Sequence, residues 1–239
     1  MGGRSGPPDA DFERRVMAFR QFIDRTQAGE ELAKVLVEKN YKDPLVLAMP
    51  RGGLPVAVQV ARALKAPLDL VMVKKIGMPG NPEFAIAAIV DGEKPHLVIN
   101  EGVLGSRSVS KADIDAMAKE KLAEIERRKI EYGAGEPISA EGRTAIIVDD
   151  GIATGASVKA AIEAMKARNA ARIIVAIPVA PPSSVKELSA KVDEVVCLSQ
   201  PEMFFAVGAH YSDFRQVSDE QVKNMMKEFR QAPKEATPD

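Results

Sequence analysis

The stretch TAIIVDDGIATGAS, residues 144–157, decides the fold. Its first part, AIIV at 145–148, is apolar throughout, as a strand buried on both faces of a parallel sheet should be. The run stops at Asp149-Asp150, Gly151 opens a short turn, and Ala153, Thr154, Gly155, Ala156 and Ser157 lead into an expected helix. In an open α/β sheet, ligands bind outside the carboxyl ends of the strands, where these residues must lie. The free amides of a helix N-terminus make a phosphate site, and the hydroxyls of Thr154 and Ser157 add donors. Two carboxylates beside such a cradle cannot serve the phosphate, because they repel it. They suit a diol or a bound Mg²⁺ held at a fixed distance from the phosphate, and a ribose 5-phosphate satisfies both halves. An ordinary strand end, with Asp capping the next turn, is the plainer reading. Two adjacent acids followed by Thr-Gly-x-Ser at this register weigh against it.

Working outward, four more apolar runs share the texture of 145–148: VLAM (46–49), LDLVMV (68–73), RIIVAIP (172–178) and EVVCL (194–198). Helix-like segments lie between them at about 54–64, 156–168 and 182–190. Strand–helix–strand repetition predicts right-handed βαβ units in a parallel sheet. Two stretches break the rhythm. Residues 84–90 and 96–99 read as a hairpin turned at Asp91-Gly92, a dipeptide suited to type I′ geometry. Residues 110–131 read as a charged helix opened by Ser110 and Asp113, with Ile114, Ala118, Leu122 and Ile125 on one face. Helical spacing also marks Phe12, Val16, Phe19 and Ile23, then Ala28, Leu32, Val35 and Leu36, and a last helix opens at Ser218 with Gln221 completing its capping box.

Composition excludes several classes. The chain has 239 residues, 46% hydrophobic and 28% charged, which is enough for one sizeable domain and unlike a disordered chain. A chain of this length buries roughly 70–75% of its unfolded surface, so it needs no disulfide or structural metal. Cys197 is the single cysteine, which removes any intramolecular disulfide and any cysteine-cluster zinc site. Thirty-three basic against 34 acidic residues leave a net charge of −1, which argues against bulk nucleic-acid binding. No apolar run approaches the length of a membrane span, and the first ten residues lack a signal-peptide core. A cytoplasmic protein is expected.

Other residues could carry chemistry. In VLAMPRGG (46–53), Arg51 offers a fixed-charge fork, Gly52 and Gly53 let backbone amides approach an anion closely, and Pro55 fits the first turn of the next helix. Taken alone, Pro-Arg-Gly-Gly also reads as a tight surface turn. The loop at 50–53 is expected to hold an unusual backbone, a non-proline cis peptide being one form it could take. In VKKIGMPGNPEFAIAAI (73–89), Lys74 and Lys75 end a strand, and Gly77, Pro79, Gly80 and Pro82 suit a mobile lid whose tip settles into neither helix nor strand. A solvated hairpin approach without a ligand is the alternative. His96 and His210 have no second ligand at metal-binding spacing, and Cys197 reads as a small core hydrophobe.

Residues 144–157 closely resemble the ribose-5-phosphate signature of the type I phosphoribosyltransferases, enzymes that use phosphoribosyl pyrophosphate (PRPP). The resemblance runs from about residue 22 to 222, including FIDRTQAGEELA, and is nearest to a subgroup whose acceptor is undefined. It implies an α/β fold: a Rossmann-like, mostly parallel sheet with a small hood. A single domain at 11–231 is expected, with the hood from 11–40 and 200–231, a helical insertion at about 105–135, and flexible tails at 1–10 and 232–239. The resemblance places the pyrophosphate at Arg51, Gly52 and Gly53, with Lys75 and Lys74 as further cations and a loop there closing over PRPP. It places the ribose hydroxyls at Asp149 and Asp150, the 5-phosphate along residues 151–157, and Mg²⁺ held indirectly through hydroxyls and water. PEMFFAVGAHYSDFRQVSDEQV (201–222) resembles a purine-recognition segment, in which Phe204, Phe205 and Val207 would meet the base. Its acid, Asp213, stands one place late, and either phenylalanine reads equally as core. Relatives acting on 6-oxopurines carry an aspartate immediately before the Thr, where this chain has Ala153.

The function so implied is transfer of the 5-phosphoribosyl group from PRPP to a nitrogen nucleophile, with pyrophosphate leaving. Arg51, Lys75, Asp149 and Asp150 form the catalytic set, with a role in nucleotide salvage and a homodimer expected. Two rivals stand beside it. A PRPP-sensing regulator needs a basic surface or a recognition domain, and about 27 residues before the core are too few for a winged helix. A hydrolase acting on PRPP or a nucleotide needs a water-accessible base pocket.

Overall fold

The computed structural model describes residues 22–92, 94–100 and 109–231. Its centre is a five-stranded parallel sheet of β1 (Pro44–Ala48), β2 (Leu68–Leu70), β6 (Thr144–Val148), β7 (Arg172–Val179) and β8 (Glu194–Ser199), ordered β2-β1-β6-β7-β8. A three-stranded antiparallel sheet holds β3 (Val73–Met78), β4 (Asn81–Val90) and β5 (His96–Ile99). The helices are α1 (Arg25–Val37), α2 (Gly53–Ala63), α3 (Lys111–Glu131), α4 (Ala156–Ala167), α5 (Pro182–Ser189) and α6 (Asp219–Gln231). All five apolar runs enter the parallel sheet, and four of the five residues of β1 and all five of β6 are buried. One cluster of buried side chains, including Leu32, Val46, Val60 and Ile146, fills one side of the sheet. A second, including Leu47, Ile147, Ile162 and Met165, fills the other. That two-sided burial is the physical reason the strands read as continuous rather than alternating. No helix among the described residues is long and apolar enough to cross a membrane.

Chain order makes the sheet reverse direction between β1 and β6. From β1 the chain steps outward to β2, then returns to the other side of β1 as β6. Such a switch point leaves a crevice, because the loops after the two strands turn to opposite sides. The loops that meet there are 49–52 and 149–155.

Three expectations need correction. LDLVMV is not one strand: β2 stops at Leu70 and β3 starts at Val73 in the other sheet. The amide of Val71 still donates to the Ala48 carbonyl at 2.9 Å, but that of Met72 is taken by Asp91 Oδ1 at 2.7 Å, and the chain changes sheets there. The hairpin at Asp91-Gly92 exists, but not as a two-residue turn, since Val90 pairs with His96 and five residues intervene. Asp91 is buried, accepting from Met72 and pairing with Lys129 Nζ at 2.8 Å, so it serves the core rather than the turn. The segment 76–82 is largely strand: β3 runs to Met78, β4 begins at Asn81, and Pro79-Gly80 form the turn between them. The register breaks beside Pro82, jumping from Gly77↔Ala85 to Met78↔Asn81, as suits a proline within a ladder.

The charged helix is present as α3 and packs on β3 and β4, burying Ile114, Ala118 and Ile125. Ser110 and Asp113 form the expected capping box, as do Ser218 and Gln221. Of the first expected helix only Ile23 is described, and it lies outside α1 and exposed; the rest, with both expected tails and residues 105–108 of the expected insertion, falls outside the described residues.

The Asp91–Lys129 pair ties α3 to the sheet switch, with side chains 3% and 13% exposed. Lys129→Met is expected to destabilise the protein by about 3–5 kcal/mol, since it leaves a carboxylate buried and unpaired. Urea denaturation of the variant and of Asp91→Asn/Lys129→Met measures this, and the double variant should recover part of the loss.

Candidate active site

The site forms where β1 and β6 end. Their pairing runs in register from Pro44↔Thr144 to Ala48↔Val148, and the amide of Met49 continues it to the Val148 carbonyl at 2.9 Å. The Pro-Arg-Gly-Gly and Asp-Asp segments are therefore side by side although about a hundred residues apart in sequence. They touch closely enough to dictate residue type. A Cβ on Gly52 would collide with the Asp150 carboxylate, and one on Gly53 would stand 2.7 Å from the Val148 carbonyl oxygen. Glycine here serves the packing of one loop on the other as well as anion access.

The Pro50–Arg51 peptide bond is cis, a non-proline cis bond of the kind expected in this loop. The Arg51 and Gly52 amides donate no hydrogen bond among the described residues, while Gly53 donates to the Met49 carbonyl at 3.0 Å. Helix α2 begins at Gly53 without a side-chain cap. In the loop after the neighbouring strand β6, Gly155 takes a left-handed conformation, φ 68°, and α4 also begins without a side-chain cap. At the start of α2 the Gly53 and Leu54 amides are taken by the Met49 and Arg51 carbonyls and Pro55 has none, so that loop's free donors are the Arg51 and Gly52 amides, whereas α4 presents an uncapped N-terminus that favours an anion. Thr154 is exposed, Ser157 is half-buried in the first turn of α4, and Ala153 is exposed with its carbonyl accepting from Ser184 Oγ. Gly151 lies against Val207, whose Cγ1 occupies the space a side chain would need.

The two acids are held in an unfavourable state. Burial, and then the charge of Asp150, push the Asp149 carboxyl well above its ordinary pKa, with Arg25 acting in the opposite direction. Asp150 is raised by burial and brought partly back by the Arg25 hydrogen bond and charge. Arg25 Nε donates to Asp150 Oδ2 at 2.7 Å, and the Tyr211 hydroxyl donates to the Asp150 carbonyl. Asp149 Oδ1 accepts from the Asp150 amide at 2.9 Å. Among the described residues no three or more acids, histidines or cysteines gather around one point.

The remaining expected residues are more dispersed. Arg51 Nη1 lies 3.6 Å from Asp219 Oδ1 at the start of α6, and the Tyr132 hydroxyl donates to the same oxygen. Lys74 is engaged with Glu124 on α3 at 3.2 Å, whereas Lys75 is exposed and makes no ion pair among the described residues. Of the base-segment residues, Phe204 stacks on His210 with centroids 5.3 Å apart and packs with Phe22 and Tyr211, whereas Phe205 is 84% exposed. The late acid Asp213 is bound by Arg215, which lowers its pKa to about 2, and it lies on the exposed side of the segment. Cys197 is half-buried, and burial pushes its thiol up to about 11, as suits a small packed hydrophobe. Sequence reading missed Arg25, Tyr211, Phe214 and Asp219. Arg25 lies inside FIDRTQAGEELA, so the segment was singled out but not the residue.

A profile of the phosphoribosyl transferase domain matches residues 23–214. The Mycobacterium tuberculosis H37Rv protein named "Putative phosphoribosyl transferase Rv0571c" is 44% identical over 202 residues, covering 84% of this chain but 45% of that protein. Its counterpart in strain CDC 1551 matches equally, so the chain spans about half the length of these curated relatives. The crystal structure of TT1426 from Thermus thermophilus superimposes with a TM-score of 0.75 at 41% identity, covering 87% of this chain and 99% of that one. With the profile spanning most of the chain and both crevice loops inside it, the protein belongs to the phosphoribosyl transferase domain family.

Proposed function

We propose that the protein transfers the 5-phosphoribosyl group of PRPP to a nitrogen nucleophile, a nucleobase being the acceptor class, with release of pyrophosphate. The observation that carries this reading is the junction of the Arg51–Gly53 loop with Asp149-Asp150 at the β1/β6 switch point. One side of the crevice offers free amides and an arginine for a diphosphate, the other a pair of acids for a diol, followed by an uncapped helix end for a monophosphate. PRPP presents those three groups in that order.

In this reading the amides of residues 155–157 and the hydroxyls of Thr154 and Ser157 hold the 5-phosphate, and Asp149 and Asp150 accept from the ribose hydroxyls. Arg51, the Arg51 and Gly52 amides and Lys75 stabilise the charge that grows on the departing pyrophosphate. The β3–β4 hairpin carries Lys75, and in this reading it closes over the ligand and excludes water. The donor set fits a magnesium ion: carboxylate oxygens are hard ligands, and a divalent cation would offset the burial that raises both acids and the charge of Asp150 that adds to it at Asp149. Asp149 and Asp150 would hold it through ribose hydroxyls and water, and the ion supplies charge neutralisation at the diphosphate. Of the three expected base contacts, Phe205 is the exposed one, while Phe204 and Val207 are partly buried and pack on the Phe22–Tyr211 cluster.

Pyrophosphate release from PRPP and Mg²⁺ across a panel of purine and pyrimidine bases tests the reading directly. PRPP with Mg²⁺ is expected to raise the melting temperature, by the equivalent of about 2.7 kcal/mol at 100 times its Kd. Asp150→Asn should remove most of that shift. Ala153 offers no carboxylate for the purine ring proton, and general-base help is typically worth about 10²–10⁴-fold. Hypoxanthine and guanine are therefore expected to show kcat/KM no higher than about 10⁴ M⁻¹s⁻¹, measured by initial rates.

The raised carboxyls also give a stability prediction. The folded state holds their protons to higher pH than the unfolded chain does, so their contribution favours folding at low pH and is lost as pH rises through the folded values. Asp149→Asn keeps the acceptor for the Asp150 amide and removes the charge. It is expected to raise the ligand-free melting temperature at neutral pH by a few degrees while weakening PRPP binding, both read in the same thermal scan.

A further inference from the structure

Arg25 opens α1, 125 positions before the acid it holds. Its guanidinium is used in three directions. Nε donates to Asp150 Oδ2 at 2.7 Å, Nη1 donates to the Arg215 carbonyl at 2.9 Å, and the flat face lies 3.8 Å from the centre of the Phe214 ring. The ion pair is enclosed, with side chains 11% and 13% exposed. Phe214 leans on Tyr211 with centroids 5.0 Å apart, and the Tyr211 hydroxyl donates to the Asp150 carbonyl. Asp150 is thus gripped at its carboxylate by the N-terminal helix and at its backbone by the C-terminal segment. Those two segments are themselves joined where Phe22 donates to the His210 carbonyl at 2.8 Å and Ser212 to the Phe22 carbonyl at 2.7 Å. Asp150 Oδ1, by contrast, makes no hydrogen bond among the described residues.

We propose that Arg25 is a positioning residue for the sugar half of the substrate: by occupying Oδ2 of Asp150 it fixes the carboxylate plane and reserves Oδ1 for a ribose hydroxyl. This rests on the phosphoribosyl reading of the site. A buried ion pair is weak support for stability, because desolvation offsets most of the attraction. Holding one acid in one orientation is what the pair does well. The task needs arginine rather than lysine, since a planar fork can bond along two edges while its face stacks on an aromatic ring.

The test compares the wild-type protein, Arg25→Lys and Arg25→Met for binding of ribose 5-phosphate and, separately, of pyrophosphate, each with Mg²⁺, by calorimetry. Pyrophosphate reports on the Arg51–Gly53 loop and ribose 5-phosphate on the acids. In Arg25→Met the ribose 5-phosphate affinity is expected to fall about 10- to 100-fold, as for other partners that orient a ligating group, with pyrophosphate affinity retained. Arg25→Lys should lie between, restoring charge without the fork. Unchanged ribose 5-phosphate binding in folded Arg25→Met, or equal loss of both ligands, overturns the proposal, the second outcome leaving Arg25 a purely structural residue. If Arg25→Met does not fold, Arg25→Lys decides alone by the same comparison between ligands. A wild-type protein that binds neither PRPP nor ribose 5-phosphate instead removes the phosphoribosyl reading, and this inference with it.

Discussion

The parallel pairing of β1 with β6 is the constraint on which the rest of the site depends. Five in-register pairs and the Met49–Val148 hydrogen bond bring two loops together at the carboxyl ends of the strands, one rich in glycine and one rich in acid. Every other feature of the crevice is a consequence. The glycines at 52 and 53 are required because the loops touch, and two helix N-termini converge because both strands lead directly into helices on neighbouring positions. A change of one residue in that register would separate the diphosphate donors from the acids and dissolve the site without altering any single motif.

Placing two carboxylates at a half-buried strand end works against folding, and the surroundings show how the protein limits the cost. Arg25 offsets one of the two charges, the Tyr211 hydroxyl holds the Asp150 backbone, and the Asp150 amide bonds back to Asp149. Even so, burial keeps both carboxyls raised. Residual electrostatic stress of this kind belongs where a ligand or cation is to be received, since binding relieves it. Burial raises the Asp69 carboxyl too, but its oxygens accept from the Leu70 and Ile138 amides, and Asp91 accepts from the Met72 amide and pairs with Lys129. Those two serve the junction between the sheets.

Much of this was legible in the residues themselves. Five continuous apolar runs announced a parallel sheet because strands covered on both faces have no solvent side to mark with polar residues. The capping boxes at Ser110 and Ser218 were readable because their geometry is local, spanning a single turn. The Asp-Asp-Gly and Thr-Gly-x-Ser elements were readable for the same reason. Errors came where a long-range contact overrode a local preference. Asp91-Gly92 has turn chemistry, yet Asp91 was drawn inward by Met72 and Lys129. The Gly/Pro-rich stretch after Lys75 has little strand propensity, yet paired flanks on both sides carry it into a hairpin with a broken register. Phe204 and Phe205 are chemically identical neighbours, and only packing left one partly buried against the Phe22–Tyr211 cluster and the other on the surface.

By itself the sequence determined the α/β class, the strands and helices of the parallel-sheet units and the identity of both crevice loops, because each is encoded within a dozen or so consecutive residues. Tertiary structure alone decided that the loops meet, that Arg25 is the cation answering Asp150, that Arg51 faces Asp219 and Tyr132, and that the stretch after Lys75 pairs as the β3–β4 hairpin. Those outcomes depend on which side chains share a burial site after the chain has crossed the sheet. Contacts between residues more than a hundred positions apart leave no periodicity or spacing in a single sequence from which they could be read.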